Sequence, residues 1–458
     1  MATQYDAIII GAGQAGPSLA ERLTQAGQKV ALIERGHPGG TCVNTGCIPT
    51  KALIASARAA HVARNAAAFG VDIAGTVTVD MARVKARKDE IALASRKGVT
   101  GWLEGMEGLT FVRGHARFEG NHNVRVGDEL LTAERIYINV GARPRVPDFA
   151  EGVPHWTSSD MMEVDVLPEH LVIVGAGPIG LEFAQMYRRF GAKVTLIETA
   201  DRVLFREDEE VSQTVQAFLE AEGVDVRLSA DCVALEERPG GIAVRVSCED
   251  DTAKSIEGSN ALLAIGRVPN THDLGLETTD VKLDARGFIE VDDALATGVP
   301  GVWALGEVNR RGAFTHTTYN DFEIVAENLL DDATRRVTDR IPISGVFTDP
   351  PLARLGMNDA QAKASGKNVL VGYRKMARVG RARERSETTG FMKVLVDGDT
   401  KKFLGATIVG IEGDEAIHAV ADLMYADASY EVLRQAVHMH PTVAELLPTV
   451  VGSLKPLE

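Results

Sequence analysis

The chain has 458 residues, of which 45% are hydrophobic and 25% charged, a composition typical of a globular protein with more than one domain. Its formal net charge of −15 argues against nucleic acid or an anionic membrane as a partner, because both select for excess Lys and Arg. No apolar run is long enough to predict a transmembrane helix, and the first apolar stretch, residues 7–10, is too short for a signal peptide, so we expect a cytoplasmic protein.

The chain begins with a pattern of strand, glycine turn and helix. Residues 5–16 read YDAIIIGAGQAG, and a second apolar run, VALIER, then leads to Glu34. Gly11 permits a tight turn, Gly13 lets the backbone approach a pyrophosphate, and Gly16 lets the helix pack closely on the strand. The helix N-terminus favours phosphate groups, and Glu34 can accept hydrogen bonds from a ribose.

A second motif follows directly, GGTCVNTGCIPTK at residues 39–51. Cys42 and Cys47 have no neighbouring Cys/His pair, so they fall short of a zinc site and no metal is expected. A thiol at a helix N-terminus has a stabilised thiolate, so we interpret the pair as a reducible disulfide. Cys232 and Cys248 are predicted to be inert buried thiols.

The glycine pattern is repeated in the middle of the chain. Residues 171–180 read LVIVGAGPIG, with Gly175, Gly177 and Gly180, and VTLIET leads to Glu198. From the first glycine to the acid the offset is 23 residues in both copies. One copy alone is weak evidence, but two copies with one offset strongly indicate two dinucleotide-binding folds. Two such folds are typical of an oxidoreductase that uses FAD and NAD(P)H.

The other predicted elements are mixed. Before the second copy, the patterns predict helices at 51–66 and 80–107, strands within 110–131 and a turn-rich stretch at 141–147. After it, they predict short strands within 224–264, a strand at 301–306 and a helix at 317–331. Beyond residue 340 they predict strands at 369–376, 391–396 and 403–409 and helices at 413–427 and 430–436, which we interpret as a separate α+β domain.

With these motifs the chain resembles the pyridine nucleotide–disulfide oxidoreductases, the family of dihydrolipoamide dehydrogenase, glutathione reductase and mercuric reductase, over essentially its whole length. The resemblance implies an α/β fold with two Rossmann-like dinucleotide-binding domains plus a C-terminal α+β dimerisation domain. It places an FAD-binding domain at residues 1–150 and 271–335, an NAD(P)-binding domain at 151–270 and a dimerisation domain at 340–458.

The resemblance also implies the cofactor sites. For FAD it gives Gly11, Gly13, Gly16, Glu34, Gly40, Thr41, Ala116, Gly141, Gly306, Glu307, Thr315 and His316. For NAD(P) it gives Gly175, Gly177, Gly180, Glu198 and Gly266. Glu307 stands where the family usually has Asp, so we expect its hydrogen bond to the ribityl chain to shift. Glu198 favours NADH over NADPH, because a carboxylate repels a 2′-phosphate.

By the same resemblance the catalytic residues are Cys42, Cys47, Lys51, Glu182, His440 and Glu445. Cys47 would be the flavin-side sulfur and Cys42 the outward thiol that exchanges with substrate. Lys51 and Glu182 would pair near the flavin and the nicotinamide. The segment HPTVAE resembles the family's HPTxxE, in which the His/Glu acid–base pair reaches the disulfide of the other subunit. The resemblance therefore implies a homodimer with shared active sites.

We therefore expect an enzyme that passes electrons from NAD(P)H to a small oxidised substrate, which could be a disulfide, a reactive oxidant or a metal ion. Mercuric reductase and high-molecular-weight thioredoxin reductase both carry a C-terminal cysteine pair. No cysteine follows residue 248 here, so assignment to either of these enzymes is weakened. The segments FTDPPLARLGM and VGRARERSETTGFMKV resemble a bacterial branch with reductases of reactive chlorine species and hypothiocyanous acid. Dihydrolipoamide dehydrogenase and glutathione reductase stay as alternatives, and a non-catalytic FAD-binding electron-transfer subunit is the alternative from another class.

Overall fold

A computed structural model describes residues 2–230, 233–246 and 255–457. The predicted buried thiols Cys232 and Cys248 lie outside these residues. Within them, no helix combines the length and the apolar character that crossing a bilayer requires. The α/β class predicted from the sequence is confirmed: two Rossmann-like parts are followed by a C-terminal α+β part.

The first Rossmann-like sheet is parallel in its centre and antiparallel at one flank. Its strands, in spatial order, are Leu109–Arg113, Val30–Glu34, Thr3–Ile10, Glu129–Ile138, Asn123–Val126 and Ala116–Phe118. The late strand Val302–Ala304 pairs in parallel with Glu129–Ile138. The central strands are apolar and buried where they pair, at residues 7–10, 30–33 and 136–138, because a parallel sheet is covered on both faces. Residues beyond 300 thus return to the sheet in which the chain began.

Helices in this part follow the predicted pattern with shifted ends. They span Gly16–Gln25, Gly40–Asn44, Cys47–Arg64, Met81–Glu104 and Thr315–Leu330, with short 3₁₀ turns at Ala66–Phe69, Asp148–Ala150, Asp160–Glu163, Leu276–Thr278, Gly306–Asn309 and Val337–Asp339. The helix predicted at 51–66 begins one turn earlier, so that Cys47 is its first residue. The predicted turn at 141–147 contains a short strand, Ala142–Pro144, paired with Arg267–Pro269.

The second Rossmann-like sheet repeats the arrangement of the first. Its parallel strands, in spatial order, are Asp225–Arg227, Lys193–Ile197, His170–Val174, Asn260–Leu263 and Trp156–Thr157. An antiparallel sheet of Ala234–Arg238, Gly241–Arg245 and Ser255–Gly258 accompanies it. The helix of the glycine motif is Pro178–Phe190, and a further helix, Glu209–Ala221, was not predicted. Its buried Val211, Val215, Phe218 and Leu219 have helical spacing, the signal that sequence analysis missed.

The C-terminal part is an antiparallel sheet with short helices. Its strands, in spatial order, are Ile343–Val346, Leu352–Gly356, Phe403–Val409, Phe391–Asp397, Val369–Lys375 and Lys455–Pro456. Its helices are Asp359–Ala364, Gly380–Glu384, Gly413–Ala416, His418–Tyr425, Tyr430–Gln435 and Leu447–Val451, with 3₁₀ turns at Met376–Arg378 and Ala444–Leu446. The helix predicted at 413–427 is therefore two helices. The hairpin formed by the first two strands reaches the second Rossmann-like part at its tip, residues 347–351.

Candidate active site

The first glycine turn has no side chains at Gly11 and Gly13 to cover its backbone. Gly11 has a φ of 108°, and a Cβ there would collide with the carbonyl oxygen of Asn139. The Asn139 side chain fixes the turn by donating from Nδ2 to the Gly11 carbonyl at 3.1 Å. A Cβ on Gly40 would lie 2.8 Å from the Cα of Gly13. This surface suits a ligand that must approach main-chain N–H groups, so the residues present fit a dinucleotide pyrophosphate.

The two acids that follow the glycine turns are held in the same way. Glu34 accepts hydrogen bonds from the Ala12 amide at 2.9 Å and the Gly36 amide at 2.7 Å. Glu198 accepts hydrogen bonds from the Ala176 amide at 2.8 Å and from the amide of Ala200 at 3.0 Å. Each carboxylate is thus oriented by backbone amides, one of which belongs to the adjacent glycine turn. The repeat seen in the sequence is a repeat in hydrogen bonding.

The second glycine turn is open where a ligand would need space. A Cβ on Gly177 would meet no atom of the described residues within 4 Å, whereas one on Gly175 would lie 2.6 Å from the Ala264 carbonyl oxygen. Gly180 faces the carbonyl of Gly175, so helix and strand pack closely there. Gly266 follows the last parallel strand of the same sheet, with a φ of 105°.

Other predicted FAD residues lie around the first turn. Thr41 is on the short helix Gly40–Asn44, next to the Gly13 backbone. Ala116 begins a strand two residues after Gly114, whose amide donates to the Glu34 carbonyl at 3.0 Å. Gly141 follows the strand that ends at Ile138, with a φ of 64°.

Glu307 has a partner that sequence analysis missed. Both of its carboxylate oxygens lie 2.8 Å from Nε of Arg267, and the two side chains are largely buried. The amide of Gly306 donates at 2.7 Å to Asp321, a carboxylate that is also unpredicted and fully buried. No spacing in the sequence signals the contact between Arg267 and Glu307, because the two residues are 40 positions apart and lie on different segments.

The cysteines sit on successive helices. Cys47 is the first residue of the helix Cys47–Arg64, Cys42 is on the helix before it, and the two sulfurs are unbonded in this structure. A hydrogen bond from the Cys42 thiol lowers the pKa of Cys47 to about 5, against the effect of burial, with Thr315 and Lys51 contributing. The same interaction, together with burial, raises the pKa of Cys42. Cys47 is therefore the preferred thiolate, and Cys42 holds the proton.

A second helix N-terminus faces the same sulfur. Thr315 begins the helix Thr315–Leu330, and its Oγ1 lies 3.3 Å from Sγ of Cys47. The free N–H groups of a helix N-terminus favour negative charge. His316 is stacked on Phe314, with ring centroids 5.1 Å apart, and its Nε2 lies 2.9 Å from the Ile343 carbonyl oxygen.

Lys51 and Glu182 form the predicted ion pair. Lys51 is one turn beyond Cys47, Glu182 is on the helix Pro178–Phe190, and Nζ lies 2.8 Å from Oε2. Glu182 is only 7% exposed, so the Lys51 ammonium offsets part of the cost of burying its carboxylate. Its other oxygen accepts a hydrogen bond from the amide of Phe347 at 3.0 Å, a contact that sequence analysis did not predict.

His440 and Glu445 also form a pair. Nδ1 of His440 lies 2.9 Å and 3.0 Å from the two oxygens of Glu445, so the carboxylate orients the ring and leaves Nε2 outward. The His440 side chain is 79% exposed. Arg381 supports this turn by donating to the Pro441 carbonyl at 2.5 Å. Within the described part of the chain, no hydrogen bond joins His440 to either cysteine.

Comparison with known proteins agrees with this geometry. Residues 5–321 match the family model described as pyridine nucleotide-disulphide oxidoreductase, and residues 343–451 match the dimerisation domain of the same family. The chain belongs to this family. It is therefore an oxidoreductase of a family whose cofactors are FAD and NAD(P)H, and the alternative of a non-catalytic subunit is set aside. The chain also carries that family's dimerisation domain.

Members of this family match the chain along its whole length. It is 34% identical to the probable pyridine nucleotide-disulfide oxidoreductase RclA of Escherichia coli K12, covering 99% of this chain and 100% of that protein. It is also 34% identical to the dihydrolipoyl dehydrogenase of Thermus scotoductus, covering 98% and 97%. The structure of the HOCl-induced flavoprotein disulfide reductase RclA from E. coli matches with a TM-score of 0.89, 34% identity and coverage of 98% and 99%. A Cu(II) complex of RclA matches with a TM-score of 0.89, 33% identity and the same coverage.

Proposed function

We propose that this enzyme passes electrons from NAD(P)H through a Cys42–Cys47 disulfide to a small oxidised substrate. The observation that carries the proposal is the asymmetry of the two thiols. Cys47 is the first residue of a helix, its Sγ lies 3.3 Å from Oγ1 of Thr315, and its pKa is lowered, whereas Cys42 lies on the helix before it and has a raised pKa. A dithiol with one stable thiolate and one thiol that a base must deprotonate is suited to reversible disulfide exchange.

The residues around the two glycine turns would hold the cofactors. The first turn and Glu34 would bind FAD, with Gly40, Thr41, Ala116, Gly141, Gly306, Glu307, Thr315 and His316. Gly175, Gly177, Gly180, Glu198 and Gly266 would bind the nicotinamide nucleotide. A bound FAD would supply two-electron chemistry between the nicotinamide and the disulfide.

The thiol steps use Cys42, Cys47 and His440, with two electrons that originate from NAD(P)H and protons from solvent. Two electrons cleave the disulfide to a Cys47 thiolate and, with one proton, a Cys42 thiol. His440, held by Glu445, takes the Cys42 proton, and the Cys42 sulfur attacks a substrate disulfide to form a mixed disulfide. The leaving thiolate takes the proton back from His440. Cys47 then attacks the Cys42 sulfur, which restores the internal disulfide and releases the second substrate thiolate, protonated by solvent.

The finer assignments belong to the same proposal. Glu198 would favour NADH, since its carboxylate is fixed by the Ala176 and Ala200 amides and would repel a 2′-phosphate. The similarity to RclA, an HOCl-induced flavoprotein disulfide reductase, favours a reactive oxidant or a small disulfide as the substrate. The similarity to the dihydrolipoyl dehydrogenases keeps lipoamide, the oxidised disulfide form, as the second candidate. Three further points stay predictions: a homodimer with shared active sites, a cytoplasmic location, and the domain boundaries. Those boundaries are 1–150 and 271–335 for the FAD-binding domain, 151–270 for the NAD(P)-binding domain and 340–458 for the dimerisation domain.

NADH oxidation with a panel of acceptors tests the proposal. The panel contains lipoamide, glutathione disulfide, hypothiocyanous acid, a chlorine-derived oxidant and Cu(II), and the Cys42→Ser variant is the matched control. We expect at least one acceptor to raise turnover well above the rate with oxygen, and Cys42→Ser to abolish that gain. Acceptor-dependent turnover that survives in Cys42→Ser would contradict the disulfide relay.

A further inference from the structure

The tip of the C-terminal hairpin is fixed against the helix that carries Glu182. The Phe347 amide donates to Glu182 at 3.0 Å, two residues before a second main-chain contact. There, the Asp349 amide donates to the Gln185 side chain at 2.8 Å, and Gln185 donates back to the Asp349 carbonyl at 2.7 Å. Val346, at the base of the tip, is buried in the same core cluster as Leu181. The position of residue 347 is therefore determined by its own amide, by the buried Val346 side chain before it and by the main-chain contacts of Asp349 after it.

This placement brings an aromatic ring to the catalytic ammonium. Nζ of Lys51 lies 4.5 Å from the centroid of the Phe347 ring, within the range of a cation–π interaction. The same Nζ lies 2.8 Å from Glu182. Lys51 is thus bounded by a carboxylate and by the face of a ring, both connected to residue 347. Phe347 is 39% exposed, so burial of its own surface does not explain its position.

We propose that Phe347 is a positioning residue that holds the Lys51 ammonium against Glu182, so that the C-terminal part of the chain helps to build the reducing side of its own active site. This inference rests on the proposed function. It is supported by the contribution of the Lys51 charge to the lowered pKa of Cys47. Without the ring, a lysine chain with free rotamers would leave the ion pair part of the time.

A pH titration of the thiolate tests this role. In the Cys42→Ser background, the long-wavelength charge-transfer band of FAD-loaded enzyme reports the Cys47 thiolate. We expect Phe347→Leu to raise the midpoint of that titration by about half a pH unit and to slow flavin reduction by NADH roughly two- to five-fold. Phe347→Tyr, which keeps the ring, should titrate like the parent. Phe69→Leu, which removes a 53% exposed ring elsewhere, is the matched control and should also be unchanged.

A double-variant cycle separates this role from a general structural one. If the ring acts through the lysine, Phe347→Leu should cause no further shift in a Lys51→Met background. An equal shift in both backgrounds, or no shift in Phe347→Leu, would overturn the proposal. Phe347→Met is the second ring-less variant should Phe347→Leu fail to retain FAD. A missing charge-transfer band in FAD-loaded Cys42→Ser itself would contradict the proposed function instead, so the two failures are distinguishable.

Discussion

At the scale of single residues, the hydrogen bond between the two thiols makes Cys47 the thiolate and Cys42 the thiol, and the flavin absorption spectrum can distinguish these two roles. We expect Cys42→Ser to show a long-wavelength charge-transfer band from the Cys47 thiolate, and Cys47→Ser to lack it. Because a donor to the charged form lowers a pKa, Cys42→Ser, which keeps a hydroxyl donor, should titrate at lower pH than Cys42→Ala. A band in Cys47→Ser alone would mean that the roles of the two sulfurs are reversed.

Glu198 makes a second prediction at this scale. We expect kcat/KM to be higher with NADH than with NADPH, because a 2′-phosphate would meet a fixed carboxylate. Glu198→Gln keeps the shape and removes the charge, so it should narrow the ratio mainly by improving the use of NADPH. The matched control is Glu237→Gln, an exposed carboxylate on a strand of the antiparallel sheet. A clear preference of the parent enzyme for NADPH would show this expectation to be wrong.

The sequence could predict residues whose identity follows from a fixed spacing. Gly11, Gly13 and Glu34 are such residues, since a turn that exposes its amides needs glycine and an acid at known offsets. It could not predict Arg267 beside Glu307, or Phe347 beside Lys51. Those contacts join segments tens to hundreds of residues apart, and their identity depends on how separate sheets pack.

At the scale of elements, the helices Cys47–Arg64 and Pro178–Phe190 are joined at two levels. Near the cysteine, Lys51 pairs with Glu182. Further along, Asp349 lies between Arg58 and Arg189, with its Oδ2 2.5 Å from Nη1 of Arg189. Burial alone would raise the pKa of Asp349, but the two guanidinium groups outweigh it, and the pKa is lowered. The ionised carboxylate therefore ties the two helices to the hairpin tip.

Removing that carboxylate should be costly. Asp349→Asn would leave Arg189, which is 6% exposed, without part of its charge balance, and we expect a loss of about 3 kcal/mol in stability. Because the folded pKa is lowered, the contribution is present at neutral pH and is lost only as pH falls below about 4. Urea unfolding at pH 7 measures the loss. The control is Asp331→Asn, in an exposed pair with Arg22, for which we expect less than about 1 kcal/mol. Equal effects would contradict this assignment.

Helix and strand types were predictable where periodicity is strong, and their ends were not. The helix at 413–427 was predicted as one, but Ile417 separates Gly413–Ala416 from His418–Tyr425. The hairpin strand Ile343–Val346 was not predicted, because four residues that include Ser344 and Gly345 give no clear alternation. Short elements of this kind are defined by their partners in the sheet rather than by their own sequence.

At the scale of the whole molecule, the exposed His440–Glu445 pair leads to a prediction about the dimer. We expect His440→Ala to slow substrate reduction roughly 10²–10⁴-fold, the usual contribution of acid–base catalysis, with flavin reduction by NADH nearly unaffected. The measurement is stopped-flow comparison of the two half-reactions. The matched control is His438→Ala, two residues away. Nδ1 of His438 lies 3.3 Å from the Ala436 carbonyl oxygen, and among the residues that the structure describes no carboxylate orients its ring.

Mixed dimers test whether the base acts across the interface. If His440 serves the partner's disulfide, a dimer of His440→Ala and Cys42→Ser subunits has one doubly damaged site and one intact site. Activity should then return to about half the parent value per dimer, since one of two sites is intact. Verified heterodimers that stay inactive would mean that the base acts within its own chain.

The position of the hairpin tip also affects what an incomplete chain could do with NADH. A flavoenzyme that binds NADH before it is fully assembled can transfer electrons from the reduced flavin to dissolved oxygen. Here the tip that contacts Glu182 and Gln185 belongs to the same part of the chain as the dimerisation domain. A nascent or clipped chain that lacks this part would therefore lack both its acid–base pair and a support of its Lys51–Glu182 pair. We expect such a fragment, when loaded with FAD, to oxidise NADH more slowly than the full chain, as measured by oxygen consumption.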